Sequence, residues 1–372
     1  MNNIEVKKVN RNNLLRYMLR SEQISKRNAA AALGLSIPTV TQGLHDLLSM
    51  GLVREDGSLE SRGGRKSVGY KCIKDAKVAV GVDITRSHVN VVAIDLAMNL
   101  LFFNRTRMEV RNDEESYQNL RTFIQSSITD NGLDASSIIG LGVSLPAIIS
   151  GNGKDILAMH EEMKISYDLY NIMSEWFPYP INIQNDADSA GTAEILMREL
   201  KEENTVYYYF GPSVGGSIML NGKPVPGINR RAGEFGHMTL HPGGRECYCG
   251  RKGCVNAYCS TNILSECTGD NLEDFFQHLE SGDKTCKDVW EKYMDSLALA
   301  IHNMISAFDL NIIIGGYLGK HMPPYMPTLE KKIMQMDPYL DDIHFITPAI
   351  LKYEAAAIGA AAGFIENYLS AV

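Results

Sequence analysis

No apolar run in this chain approaches the roughly 20 residues that a membrane-spanning helix requires; the longest, such as residues 311–316, stop far sooner. The amino end, MNNIEVKKVNRNN, has none of the apolar core of a secretory signal, so the expected location is the cytoplasm, where disulfides are not expected. Low-complexity tracts are missing as well. With 45% hydrophobic and 22% charged residues over 372 positions, the composition is that of a folded globular chain, long enough for two or three domains of about 150 residues. Cysteine is sparse, and its count of seven is odd. Three of the seven, Cys247, Cys249 and Cys254, crowd into eight residues, which points to a metal rather than to a framework of bridges.

Charge is not evenly spread. Residues 1–74 carry thirteen Lys or Arg against six Asp or Glu, a local +7, whereas the remaining 298 carry 23 against 38, or -15. A basic head on an acidic body suggests a nucleic-acid partner for the head alone, because fixed positive charge releases counterions from phosphate.

The head reads as three helices and a β-hairpin. Leu14, Leu15, Met18 and Leu19 predict an amphipathic helix over roughly 9–20. Ser25 can cap a second, alanine-rich helix that Gly34 ends; Ser36 can cap a third, with Pro38 in its first turn and Val40, Leu44, Leu47 and Leu48 on its buried face. Thr39, Thr41, Gln42 and His45 are expected to face outward. Two short helices joined by a glycine turn, the second bearing Thr and Gln outward, is the helix-turn-helix pattern. Arg62, Arg65 and Lys66 surround Gly63 and Gly64 at the tip of the following hairpin, a wing whose cations could reach phosphates or a minor groove. The predicted DNA contacts are therefore Ser36, Thr39, Thr41, Gln42, His45, Arg62, Arg65 and Lys66, with double-stranded operator DNA as partner.

The body alternates strands with helices. Residues 77–84 and 88–96 predict an opening hairpin, with further strands near 139–144, 181–184, 206–210, 217–220 and 312–314. Helices are expected over 114–129, 188–200, 289–308 and 354–369, which makes the class α/β with layered sheets. Cys-x-Cys-x4-Cys with His237 ten residues upstream offers three thiolates and an imidazole, a closed tetrahedral set suited to structural Zn²⁺. His237, Cys247, Cys249 and Cys254 are the expected ligands; Cys72, Cys259, Cys267 and Cys286 are expected to be core or surface residues.

Several short motifs occur in one order: Gly81-Val82-Asp83-Ile84, Gly142-Val143-Ser144-Leu145-Pro146, Asn185-Asp186-Ala187-Asp188, Gly233-Glu234-Phe235-Gly236-His237, the cysteine segment, and Ile314-Gly315-Gly316. Together they resemble the ROK family of sugar kinases and repressors over nearly the whole chain, and the added head resembles its repressor branch. The resemblance implies an α/β fold in which an N-terminal winged helix-turn-helix precedes a two-lobed actin-like (ribonuclease H-like) ATPase/sugar-kinase body with a sugar cleft. It implies a head over 1–75, a small lobe over 76–190 completed by a helix at 354–372, and a large lobe over 191–353 with a zinc loop at 237–254. It also implies that Asn185, Asp186, Glu234 and His237 bind the sugar, His237 while also ligating zinc.

The same resemblance bears on catalysis. Kinases of the family carry Asp-x-Gly-Gly-Thr where this chain has Asp83-Ile84-Thr85-Arg86-Ser87, and a Gly-Thr-Gly loop where it has Gly211-Pro212-Ser213. Without those glycines the backbone N–H groups are not brought against the phosphates, and Pro212 has no N–H to give, so the expectation is a binding body with no catalytic residue and no ATP. Gly315-Gly316 reads as a strand-to-helix turn. The alternative, an active ATP-dependent sugar kinase, stays open. Val255-Asn256 stands where the family has Leu-Glu, so Asn256 joins the expected sugar ligands. A sugar-phosphate effector is a further alternative, with Arg230 and Arg231 as partners for the phosphate. A homodimer or tetramer is expected.

Overall fold

In the computed structural model, which describes residues 3–59, 67–159, 163–200, 204–269, 271–340 and 342–372, the chain opens with helix α1 (Asn3–Leu19). This helix begins well before residue 9. Its early turns carry no apolar stripe, and its polar side chains find partners elsewhere in the same unit: the Arg11 Nε donates to the Val372 carbonyl at 2.6 Å, Asn12 donates to the Leu369 carbonyl, and Arg16 pairs with Glu366 at 2.9 Å. A polar docking face is invisible to hydrophobic periodicity.

Helices α2 (Lys26–Leu33) and α3 (Ile37–Ser49) form as the capping residues dictate. Ser25 Oγ accepts from the Asn28 N–H at 3.1 Å, Gly34 takes φ 64° to end α2, and Ser36 Oγ accepts from the Thr39 N–H at 3.2 Å. Strands β1 (Val53–Leu59) and β2 (Ser67–Cys72) pair antiparallel. Residues 60–66 between them, with Arg62, Arg65 and Lys66, lie outside the described residues. Leu14, Leu15, Met18, Ile24, Val40, Leu44, Leu47 and Leu52 are nearly inaccessible and make the core of the head. Ser25→Ala should therefore lower stability by about 1 kcal/mol through the lost cap; an unchanged denaturation midpoint would show that the hydroxyl contributes nothing there.

The body opens on β3 (Val78–Ile84), β4 (His88–Asp95) and β5 (Leu100–Arg107), then α4 (Glu114–Asp130), β6 (Ile138–Leu145), the short pair β7 (Ala147–Ile149) and β8 (Ile156–Met159), α5 (Leu169–Trp176) and β9 (Ile181–Asn185). Every residue of β3 is buried, as a β-branched run covered on both faces should be. The sheet order is β5-β4-β3-β6-β9.

Next come α6 (Asp186–Met197), β10 (Thr205–Phe210), β11 (Val214–Leu220), β12 (Lys223–Pro224), α7 (Asn256–Cys259), α8 (Asn262–Ser265), α9 (Leu272–Ser281), α10 (Lys284–Phe308), β13 (Asn311–Gly315), α11 (Gly316–Gly319), α12 (Met326–Met334), β14 (Ile346–Pro348) and α13 (Ala355–Ala371). Their sheet runs β12-β11-β10-β13-β14, with β10 and β14 both parallel to β13. Numbered within each sheet, both orders are third-second-first-fourth-fifth, the same topology used twice. Helix α6 starts at Asp186 rather than 188, and α10 at Lys284 rather than 289, because Asn185 and Asp283 supply caps upstream of the apolar pattern.

The chain divides into two units, Met1–Val143 with Glu162–Ile183 and Ala360–Val372, and Ser144–Glu161 with Gln184–Gly359. No helix is long and apolar enough to cross a membrane among the described residues.

Candidate functional site

In the second unit, the segment after β12 folds on its own backbone before it carries any chemistry. Leu240 and His241 both donate their N–H groups to the Gly253 carbonyl at 2.7 and 3.1 Å, Gly253 donates to Arg245 at 2.8 Å, and Cys247 donates to Arg251 at 2.8 Å. Gly253 has φ 82°, and a Cβ there would lie 1.8 Å from the His241 carbonyl oxygen, so only glycine allows this crossing. The Tyr258 hydroxyl accepts from the Arg245 N–H at 2.7 Å and its ring meets His241 at 4.6 Å.

That fold brings His237, Cys247, Cys249 and Cys254 together, with one ligand atom from each within 4.8 Å of all the others. Cys249 and Cys254 Sγ are 3.8 Å apart, and Cys247 Sγ is 3.9 Å from His237 Nδ1. The edge of a tetrahedron with bonds of about 2.3 Å is about 3.8 Å, so the donor set fits one tetrahedral ion. Burial pushes the Cys247 thiol up to about 12. Burial also acts to raise Cys249, but hydrogen bonds from the Arg251 backbone and guanidinium and from the two neighbouring thiols outweigh it and bring Cys249 to about 6. Among the described residues this is the group of four that could hold a metal.

Beside it lies an open cleft of about 420 Å³ lined by Ile148, Arg231, Glu234, His237, Met238 and Arg251. The size suits a small ligand. Glu234 and Arg231 are exposed, so a carboxylate and a guanidinium are both presented to whatever enters. Arg251 donates to the His237 carbonyl at 2.6 Å. The Tyr248 hydroxyl sits 3.2 Å from His237 Nε2, with ring centroids 5.3 Å apart. The sequence reading missed Tyr248, Met238, Ile148 and Arg251; Tyr248 and Arg251 lie inside the cysteine motif, and only the fold turns them towards His237.

The remaining expected sugar ligands are not in this lining. Asn185 caps α6, its Oδ1 accepting from the Asp188 N–H at 3.0 Å while its Nδ2 donates to the Ala147 carbonyl at 3.1 Å. Asp186 Oδ1 accepts from the Ala187 N–H at 2.9 Å at the start of α6, where the helix dipole favours a carboxylate. Asn256 is buried, and its Oδ1 accepts from the Val214 N–H at 2.8 Å, fixing the β10–β11 turn. Asp188 accepts from Ser217 Oγ at 2.6 Å; burial raises its pKa despite that bond and the charge of Arg230. The β10–β11 turn itself holds Pro212 and Ser213, and Gly315-Gly316 joins β13 to α11, the strand-to-helix turn expected.

On α3 of the first unit, Ser36 and Thr39 are engaged with each other, hydroxyl to hydroxyl at 2.8 Å. Thr41, Gln42 and His45 are exposed, Gln42 donating to Asp46 at 2.8 Å. Cys267 is exposed and Cys286 buried, a surface and a core residue, and their sulfurs are 3.9 Å apart. Sequence separation hid the contact, because α9 lies between them.

The ROK family model matches residues 79–367. Xylose repressors from Bacillus species are similar along the whole length: that of Bacillus spizizenii is 24% identical, covering 99% of this chain and 97% of its own. An N-acetylmannosamine kinase of Vibrio cholerae is 26% identical over 67% of this chain and 88% of its own. A solved ROK family transcriptional regulator, described as a homologue of the E. coli MLC protein, superposes with a TM-score of 0.75 at 19% identity, covering 98% of this chain and 97% of its own. The ROK hexokinase from Thermus thermophilus superposes at 0.61 with 21% identity, over 76% of this chain and 96% of its own. The likenesses bear out the expected fold, a winged head on a kinase-like α/β body. With the family model spanning well over half of its residues, the chain belongs to the ROK family.

Proposed function

We propose that this chain is a sugar-responsive DNA-binding regulator, a repressor of carbohydrate-utilisation genes whose kinase-like body binds an effector without phosphorylating it. One observation carries the reading: the likeness to repressors includes the head, whereas the kinase named above is matched over 67% of the chain. The head at 1–75 would place Thr41, Gln42 and His45 on bases or phosphates, with Ser36 and Thr39 holding the helix start and Arg62, Arg65 and Lys66 supplying the wing. The body would comprise lobes at 76–190, completed by 354–372, and at 191–353. A homodimer or tetramer would present recognition helices about 34 to 36 Å apart, or a multiple of this, to successive major grooves.

Glu234 would accept from sugar hydroxyls while His237, held by zinc through one nitrogen, presents the other; Asp186, Asn185 and Asn256 would complete or support that set. Zn²⁺ held by His237, Cys247, Cys249 and Cys254 would be structural, fixing the loop that carries Glu234. No residue is assigned a catalytic role and no ATP is required.

The test is titration of operator binding against a panel of pentoses, hexoses, their amino derivatives and their phosphates. A hundredfold effector preference for one state is worth about 2.7 kcal/mol, enough to release most of the DNA. Glu234→Ala should bind operator as the parent does and lose the effector response by about fivefold to a hundredfold, since a buried hydroxyl left unpaired costs on the order of 1–3 kcal/mol. A mutant that releases DNA normally removes Glu234 from sensing, and phosphorylated sugar formed from ATP by the purified protein overturns the whole reading.

A further inference from the structure

Two cysteines outside the metal cluster lie against each other. Cys267 is exposed on the short turn Glu266–Thr268, its Sγ 3.2 Å from the Leu264 carbonyl oxygen, and Cys286 is 2% exposed in the first turn of α10. Their sulfurs are 3.9 Å apart, nearly the 3.8 Å spacing of Cys249 and Cys254. Among the described residues they belong to no group of three metal-ligating side chains, so a shared ion does not account for the pairing.

We propose that Cys267 and Cys286 form a redox-responsive pair, Cys267 meeting a peroxide-class oxidant and Cys286 closing the disulfide. The division of labour follows from exposure, since an oxidant in solvent reaches Cys267 and not Cys286. Burial pushes the Cys286 thiol up to about 12, which makes it the slower of the two towards an oxidant. In the first step the Cys267 thiolate attacks one peroxide oxygen, the O–O bond breaks, and the departing hydroxide takes a proton to become water; the sulfur is oxidised to a sulfenic acid. In the second, Cys286 sulfur attacks Cys267 sulfur, the S–O bond breaks, and hydroxide leaves with the Cys286 proton as a second water. A dithiol then reduces the bond by exchange, returning both cysteines to thiols while it becomes a disulfide itself. Closure needs the sulfurs to approach by about 2 Å, which rotation of an exposed side chain on a three-residue turn can supply.

The bond would have a mechanical effect. Thr261 donates to the Gly211 carbonyl at 2.8 Å and Asn256 accepts from Val214, so the segment carrying α7 and α8 is already tied to the β10–β11 turn at one end. A disulfide would tie its other end to α10.

The full-length protein is treated with graded hydrogen peroxide, alkylated, digested and mapped by mass spectrometry. A 267–286 linked peptide that dithiothreitol removes is the expected product, together with a rise in melting temperature that reduction reverses. Cys286→Ser should leave a dimedone adduct on Cys267, and Cys267→Ser should slow modification of Cys286 by about tenfold or more. Oxidation of Cys267 to sulfinic acid with no linkage, linkages confined to Cys247, Cys249 and Cys254, or equal labelling of Cys286 in Cys267→Ser would overturn the proposal. Should Cys286→Ser fail to fold, the parent and Cys267→Ser maps decide it.

Discussion

Glu194→Ala should cost about 3–5 kcal/mol of stability, because it removes a fully buried carboxylate that is the ionic partner of the half-buried Arg198 and the acceptor for two backbone donors. Glu194 is inaccessible to solvent, and its carboxylate accepts from Arg198 Nε at 2.8 Å, from the Leu351 N–H at 2.7 Å and from the Ile350 N–H at 3.2 Å. Arg198 in turn donates to Thr347 Oγ1 at 3.1 Å and to the Pro348 carbonyl, so the pair fastens α6 to the chain after β14. Calorimetry should place the melting temperature of the alanine variant about 10 °C below the parent. Glu194→Gln keeps one acceptor and should fall between the two. An alanine variant within about 1 kcal/mol of the parent would mean that water or rearrangement replaces the carboxylate without loss.

The second large effect concerns the zinc proposed for the His237, Cys247, Cys249 and Cys254 cluster. Cys254→Ser should reduce bound zinc from one per chain to none and unfasten the segment from Thr239 to Cys254. Cys254 is 1% exposed and shares its sulfur contact with Cys249, while its neighbouring backbone closes the Thr239–Cys254 bridge, so a weaker oxygen ligand would be buried where a thiolate is needed. Zinc supplies on the order of 10–16 kcal/mol in isolated finger peptides; here the surrounding core should let the body survive its loss with a smaller drop. The expected readouts are zinc stoichiometry by elemental analysis, faster proteolysis within 237–254, and loss of the sugar response together with retained operator binding. Full zinc in the serine variant would sink the assignment of Cys254 as a ligand.

Much of this was legible because it depends on local chemistry. Ser25, Gly34 and Ser36 announce the ends of their helices, and the cysteine spacing announces a cluster whatever surrounds it. The buried β3–β4 hairpin is plain from its β-branched runs. Other features depend on partners far away in sequence. The turns of α1 before residue 9 carry no apolar pattern, and farther along the helix Arg11, Asn12 and Arg16 read as an exposed polar face until α13 is in place. Strand β5 is an edge strand with a single buried residue, Phe102, so its pattern is weak. The resemblance points to Asn185 and Asn256 as sugar ligands, and the fold shows a further use of the same side chains on backbone groups, Asn185 on Asp188 and Ala147 and Asn256 on Val214. No sequence rule separates the two uses.

The strand order that occurs twice is occupied unequally. In the first copy the crossover from the third strand to the fourth holds α4; in the second it holds Glu234, His237, the cysteines and α7 to α10. All of the candidate cleft's lining except Ile148 is carried by one crossover of a repeated scaffold, so altering what the cleft accepts would call mainly for new residues between positions 225 and 310 while both sheets stay as they are.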